Sequence, residues 1–181
     1  MPNELHSLKI ITGGQTGVDR AALDVAVAHG VPYGGWCPRG GWAEDLPHPP
    51  GLLAKYPGLQ ETPLADPAQR TEWNVREAAA VMILTDAGDV SLSKGTALAR
   101  ALAEQYRKPL IVVDLRDRDA VAAAMAWLAT IRNAAGEVLR LGVGGPRESE
   151  VSGIYQRASE FLRALFGARE AAALNNSLKS C

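Results

Sequence analysis

Short apolar runs alternate with amphipathic stretches along the whole chain. The first run, residues 8–11, is rich in leucine and isoleucine, as expected of a buried strand. After a glycine-rich loop, apolar residues recur at helical spacing over residues 18–25. This spacing predicts a helix that begins near Thr16 and stops before Gly30. The chain therefore opens with a strand, a loop and a helix.

The alternation of strands and helices continues to about residue 166. Further strands are predicted over residues 31–36, 59–62, 81–85, 110–115 and 138–143. Further helices are predicted over residues 68–79, from Gly95 to the stop at Lys108-Pro109, over 118–132 and around 154–165. We expect a single domain over residues 1–167 and a frayed tail over residues 168–181.

Strands that alternate with helices predict a parallel sheet covered by helices on both faces. Five or six strands in a chain of 181 residues fit a Rossmann-like, doubly wound α/β fold. The simplest strand order is 3-2-1-4-5 with an additional edge strand. This order would place the strand ending at Thr12 beside the strand ending at Thr85, and open α/β sheets bind ligands at such a reversal of strand order.

Two loops at the carboxyl edge of the predicted sheet carry residues suited to anion binding. The first loop consists of Gly13, Gly14, Gln15, Thr16 and Gly17, and the second of Ser93, Lys94, Gly95 and Thr96. Each precedes a helix, whose unpaired N–H groups and dipole favour a negative charge. The first loop lacks the G-x-G-x-x-G spacing and the Gly-Lys-Ser/Thr ending, so a plain tight turn is the alternative there. We expect both helix N-termini to face one crevice.

Two arginines also follow predicted strands at this edge of the sheet. Arg39 follows the second strand and Arg147 the last one, and we expect Arg39 above all to bind the ligand. Cys37 lies at the end of the second strand and could be reactive. An inert, half-buried thiol is the simpler interpretation.

Other charged residues admit a structural interpretation. Asp19 and Arg20 lie in the first turn of the first helix, where an aspartate complements the helix dipole. Arg70 and Asn74 are one helical turn apart and share a face. Arg70 could pair with Glu61 or Glu44, or it could contribute to the site, and the sequence leaves both interpretations open.

The charge and cysteine content restrict the function classes. Nineteen basic and twenty acidic residues give a net charge of −1, which does not favour binding to nucleic acid or to an anionic membrane. No apolar run is long enough for a membrane span, and the N-terminus lacks the apolar core of a signal peptide. Cys37 and Cys181 form no disulfide framework or zinc spacing, and the histidines show no metal-ligand pattern. We therefore expect a cytoplasmic protein.

Several motifs resemble those of the molybdenum carrier family. They are GGQTGVDRAALD (13–24), GGWCPRG followed by AED (34–45), QRTEWNV (69–75), KGTALA (94–99), KPLIVVDL (108–115) and GPRES with GIY (145–155). The matches span about residues 8–166. This family is similar to the molybdenum cofactor carrier proteins, whose Rossmann-like fold is related to the lysine-decarboxylase-like (LOG) superfamily.

The resemblance implies a homo-oligomer that binds and protects the molybdenum cofactor, a pterin that bears a phosphate and an oxo-metal centre. Molybdoenzymes would be the recipients. The candidate cofactor-binding residues are Gly13, Gly14, Gln15, Thr16, Gly17, Arg20, Cys37, Pro38, Arg39, Ser93, Lys94, Gly95, Thr96 and Arg147. The chain differs from the family pattern by Leu46 after the AED motif and by Lys94 before Gly95.

Two other functions remain open from the sequence. One is a LOG-like enzyme that hydrolyses a nucleoside monophosphate, but such enzymes place acidic residues directly after the second loop. Here Thr96 is followed by Ala-Leu-Ala-Arg, so no general acid is evident. The other is a module that senses a nucleotide derivative. The sequence does not distinguish a carrier from a sensor, or a mononucleotide-like ligand from a dinucleotide form.

Overall fold

A computed structural model describes residues 8–131 and 138–179 of the chain. Its strands are β1 (Leu8–Ile11), β2 (Tyr33–Gly34), β3 (Trp36–Cys37), β4 (Gln60–Glu61), β5 (Ala80–Thr85), β6 (Leu110–Asp114) and β7 (Leu139–Gly144). Its α-helices are α1 (Val18–Ala28), α2 (Leu52–Lys55), α3 (Pro67–Glu77), α4 (Lys94–Gln105), α5 (Ala120–Thr130) and α6 (Ile154–Lys179). Short 3₁₀ turns lie at Arg39–Gly41 and Val90–Leu92.

The main sheet is parallel, and helices cover both of its faces. Five strands pair in the order β2-β1-β7-β5-β6. On one face, α1, α5 and α6 pack over alternate residues of β1, β5 and β7. On the other face, α3 and α4 pack over Val81 and Ile83 of β5. The predicted Rossmann-like α/β fold is confirmed.

The predicted strand order is wrong in two respects, because the last strand lies in the middle of the main sheet and the predicted strand over residues 59–62 lies outside it, as β4. Leu141 in β7 pairs with Ile10 of β1, and Val143 pairs with Met82 of β5. The strands that end near Thr12 and Thr85 are therefore not neighbours. Gly142 of this central strand lies close against Ala78, since a Cβ atom there would lie 3.0 Å from the Ala78 Cβ. All five strands still share one carboxyl edge.

The predicted second strand is divided at Gly35. Before it, β2 pairs with β1, and after it, β3 pairs with β4 in a separate two-stranded sheet. Gly35 has a φ of 124°, and a Cβ atom there would lie 2.3 Å from the carbonyl oxygen of Thr12. The Asn74 side chain fixes this break, because its oxygen accepts from Trp36 N and its nitrogen donates to Trp36 O, both at 2.8 Å. The chain thus leaves the main sheet beside its carboxyl edge.

Helix α6 runs to Lys179 through residues for which the sequence predicted a frayed tail. Phe166 is completely buried, and its ring meets His29 edge-on with the ring centroids 5.7 Å apart. The predicted helix over residues 118–132 is α5, although Arg132 lies outside the described residues, as do residues 1–7 and Cys181. Within residues 8–131 and 138–179, no helix combines the length and apolar character that crossing a membrane requires.

Candidate functional site

A cleft of about 680 Å³ opens at the carboxyl edge of the main sheet, and we call it the edge cleft. Its floor includes Gly144 and Gly145 at the end of β7. One wall is formed by Gln15 and Asp19 near α1, and the opposite wall by residues 91–95 before and within α4. Although β1 and β5 are not neighbours, the two predicted loops therefore flank the same cleft, with β7 between them.

The N-terminus of α4 is open toward the edge cleft. Ser93 is its N-cap, and the Ser93 hydroxyl accepts from Thr96 N at 3.3 Å. A Cβ atom at Gly95 would have only the Ser93 Oγ within 4 Å, at 3.8 Å. Lys94 is exposed and belongs to no ion pair of the described residues, while the buried Thr96 Oγ1 has no hydrogen-bond partner there. Exposed N–H groups, the helix dipole and an adjacent ammonium group are suited to an anion.

Arg70 enters the edge cleft from α3 and pairs with Asp19 rather than with Glu61 or Glu44. The distance from Arg70 Nη1 to Asp19 Oδ2 is 3.0 Å. Burial raises the pKa of Asp19, and the charge of Arg70 opposes this shift. A Cβ atom at Gly13 would lie 2.2 Å from Arg70 Nη1, so a side chain at this position would displace the guanidinium group. The arginine thus lies against the first loop.

Arg147 lies in the edge cleft between two carboxylates. Its Nη2 is 3.1 Å from Glu150 Oε1, its backbone N donates to Glu150 Oε2 at 2.9 Å, and its Nη1 is 3.4 Å from Glu44 Oε2. Burial alone would raise the pKa of Glu150, but hydrogen bonds from Arg147 and from the Ser93 hydroxyl lower it overall. Glu150, which the sequence alone does not mark, is therefore an ionised group of the edge cleft.

The N-terminus of α1 is closed, unlike that of α4. Val18 N donates to Pro146 O at 3.2 Å, and a Cβ atom at Gly17 would lie 2.3 Å from the same oxygen. The Thr16 hydroxyl donates to Glu44. The expectation of two open N-termini in one crevice is therefore wrong for α1, because the segment after β7 covers that end and Asp19 supplies a negative charge in its first turn.

The remaining predicted residues of the first loop have structural contacts. The Gln15 side-chain oxygen accepts from Thr16 N at 3.1 Å and from Glu44 N at 2.9 Å, although Gln15 also lines the edge cleft. Gly14 has a φ of 75° and lies against leucine side chains, the nearest being that of Leu59. This backbone angle explains the glycine there.

Four other predicted site residues lie away from the edge cleft. Arg20 binds Asp45 through two hydrogen bonds of 2.8 and 2.9 Å, and it lines a second crevice on the far side of Thr16 and Gly17. Cys37 is completely buried, its thiol donates to Gln60 O at 3.4 Å, and burial raises the pKa of this thiol to about 11. Pro38 is buried and Arg39 is exposed, and neither lines the edge cleft.

The structure thus brings five of the predicted residues together in the edge cleft: Gln15, Ser93, Lys94, Gly95 and Arg147. It adds Asp19, Arg70 and Glu150 to them. The Arg70 to Asp19 contact joins residues 51 positions apart, so no local spacing could reveal it. Glu150 carries no signal in a single sequence, since one glutamate after a strand is ordinarily a solvated surface residue.

Comparison with known proteins places this arrangement in a family. The profile of the circularly permutated YpsA SLOG family, cpYpsA, matches residues 10–166. The chain belongs to this family. A crystal structure of the "Putative molybdenum carrier protein" of Syntrophus aciditrophicus SB shares 38% sequence identity with this SLOG-family chain and a TM-score of 0.74. The similarity covers 87% of this chain and 93% of the other.

These two matches confirm the resemblance that the motifs indicated. The matched range of the SLOG profile contains every residue named above as part of the edge cleft. No curated protein matches the chain with statistical significance.

Proposed function

We propose that this SLOG-family protein is a carrier that binds the molybdenum cofactor, or a closely related anionic pterin, in the edge cleft. The observation that carries the proposal is the open N-terminus of α4, where Lys94 has no ion-pair partner among the described residues and two arginines line the same cleft. The name of the Syntrophus protein supports a molybdenum-related cargo. Transfer to a molybdoenzyme would complete the role of a carrier.

The residues of the edge cleft fit such a ligand. The volume of about 680 Å³ lies within the range of ~300–1,000 Å³ of small-molecule sites. The phosphate would be held by the backbone N–H groups of Lys94 and Gly95 together with the Lys94 ammonium group. Arg70 and Arg147 would bind the remaining anionic or carbonyl oxygens. The bound cofactor supplies oxo-metal chemistry to its recipient, whereas these side chains orient it and exclude water.

The second candidate function is hydrolysis of a nucleoside monophosphate. The observation that favours it is the presence of two carboxylates, Asp19 and Glu150, in the edge cleft. Burial raises the pKa of Asp19, and a carboxyl group with a raised pKa can act as a general acid. Arg70 engages the Asp19 carboxylate directly, however, and the first turn of α4 contains no acidic residue. We therefore favour the carrier.

Anaerobic titration with the isolated cofactor, followed by its absorbance, tests the proposal. We expect binding by the wild-type protein and at least about tenfold weaker binding by Lys94→Gln, which is the scale of one lost charge-assisted contact. Arg100→Gln is the matched control, because Arg100 is exposed on the same helix and bonds to Glu104 on the surface. Absence of binding, or equal affinity for Lys94→Gln and wild type, would contradict the proposal.

Incubation with adenosine monophosphate separates the two candidates. We expect adenine release at the background rate only. Turnover near ~1 per second, which is within the ordinary range of enzymes, would instead support the hydrolase.

A further inference from the structure

The Glu150 carboxylate is held by Arg147, one of the groups that an anionic ligand would use. One of its oxygens accepts from the Arg147 backbone at 2.9 Å, and the other lies 3.1 Å from the Arg147 guanidinium. Glu150 lines the edge cleft together with Lys94 and Gly95.

We propose that Glu150 is a specificity-determining residue whose carboxylate engages the Arg147 guanidinium in the free protein, so that small inorganic oxyanions bind only weakly in the edge cleft. The inference rests on the proposed function insofar as the edge cleft is an anion site. A free phosphate or sulfate ion that binds Arg147 would have to displace Glu150 and would gain only the same few donors. A larger ligand has a ring and further polar groups that bind elsewhere in the cleft, so its additional contacts offset the displacement.

The Glu150 side chain can leave this position without disrupting the neighbouring helix. The N-terminus of α6 is capped by Glu148, whose carboxylate accepts from the backbone of Gly153 and, at 2.9 Å, from Tyr155 N. The turn itself is closed by Glu150 N, which donates to Arg147 O at 3.1 Å. Backbone contacts and Glu148 thus stabilise this segment, and the fold of the segment does not depend on the position of the Glu150 carboxylate.

Displacement of Glu150 would also release an arginine for the ligand. Arg147 would keep its contact of 3.4 Å with Glu44. Glu44 is in turn fixed by Ser149 Oγ at 2.7 Å and by the Thr16 hydroxyl. The guanidinium would therefore stay at the rim of the cleft with Nη2 free to donate to a phosphate oxygen.

Titration of the full chain with inorganic phosphate and with sulfate, by calorimetry, tests the proposal. We expect Glu150→Gln to bind both ions at least tenfold more tightly than wild type, because the amide removes the competing charge while preserving the shape of the side chain. The control is Glu160→Gln, which removes the same charge from the exposed face of α6, where the Glu160 carboxylate accepts a hydrogen bond from Gln156. The control should bind both ions as wild type does.

Equal or weaker ion binding by Glu150→Gln would overturn the proposal. Glu150→Asp provides a second test if the amide variant does not fold, since the shorter side chain keeps its charge but withdraws it from Arg147. We expect an increase in affinity smaller than that of the amide variant, and an affinity equal to wild type would again overturn the proposal. These titrations contain no cofactor. A protein that fails to bind cofactor but gains phosphate affinity on Glu150→Gln would refute the carrier function and retain the role of Glu150.

Discussion

The guanidinium of Arg20 illustrates how single residues hold the loops around the site. Its Nε donates to Gly14 O at 3.1 Å, and its two terminal nitrogens bind both oxygens of Asp45. Arg20 is buried, whereas the side chain of Asp45 is 45% exposed. The hydrogen bond from Arg20 lowers the pKa of Asp45. The pair thereby ties the segment after β3 to α1.

Replacing Asp45 by Asn should destabilise the protein in a pH-dependent manner. We expect a loss of about 1–2 kcal/mol in the free energy of unfolding at pH 7, a value reduced because Asp45 is half exposed to solvent. Since the folded pKa of Asp45 is lowered, the stabilisation is fully present above the unfolded pKa of about 4 and is lost as the pH falls through the folded value. Urea unfolding of wild type and variant at pH 7 and near pH 3 measures both differences.

The difference between wild type and Asp45→Asn should therefore shrink at the acidic pH. The control is Asp117→Asn, because Asp117 is exposed and takes part in no ion pair of residues 8–131 and 138–179. An equal difference at both pH values would show that the Asp45 charge does not carry the effect.

At the scale of single residues, local sequence signals identified some of the site residues, but they could not identify contacts between residues far apart in the chain. Ser93 and Lys94 could be identified because a helix start is encoded within a few residues. Arg39 was expected to bind the ligand for its place after a strand, but it follows β3, which has left the main sheet. The position of a strand in the chain does not reveal which sheet it joins.

At the scale of elements, α1 and α4 differ although both follow glycine-containing loops. The sequence predicted both helices, because apolar spacing and cap residues are local. It could not predict which N-terminus is open, since the groups that close α1, Pro146 O and Glu44, come from distant segments. Of these two helices, α4 therefore has the uncovered first turn that faces the edge cleft.

Gly95→Asp should remove anion binding while leaving α4 intact. An aspartate in the first turn interacts favourably with the helix dipole, so we expect no loss of the helical circular dichroism signal. The same charge repels an anion at that N-terminus, and we expect at least about a tenfold loss of affinity for the cofactor.

The matched control places the same charge farther along the helix. Ala101→Asp adds a carboxylate at an exposed position six residues beyond Gly95, which is ~9 Å along the axis. Titration of both variants should show a loss for Gly95→Asp alone. Similar losses for the two variants would mean that the α4 N-terminus is not the anion site.

At the scale of the whole molecule, the larger core lies apart from the edge cleft. It fills the face of the sheet covered by α1, α5 and α6, and it includes the fully buried Phe166. The fold class was predictable because alternating strands and helices permit few architectures. The strand order was not predictable, because a buried apolar strand has the same sequence pattern whether it lies in the middle of a sheet or nearer its edge.

Phe166→Ala should therefore lower stability without altering the site. Removing a fully buried aromatic side chain typically costs about 3–5 kcal/mol in the free energy of unfolding. We expect this loss in urea unfolding, and we expect unchanged cofactor affinity at temperatures where the variant is folded. A change in affinity of more than about tenfold would show that this core is coupled to the edge cleft.

The central position of β7 has a consequence for the synthesis of the protein. The strand pairs β2-β1 and β5-β6 share no hydrogen-bonded border, and each meets the other only through β7, which begins at Leu139. Before β7 is synthesised, we expect the nascent chain to carry two unpaired strand edges, at β1 and β5. At ~5–20 residues per second, the ribosome leaves these edges exposed for seconds. We therefore expect the sheet to close only after β7 has been synthesised, with the nascent chain exposed to aggregation or to chaperones until then.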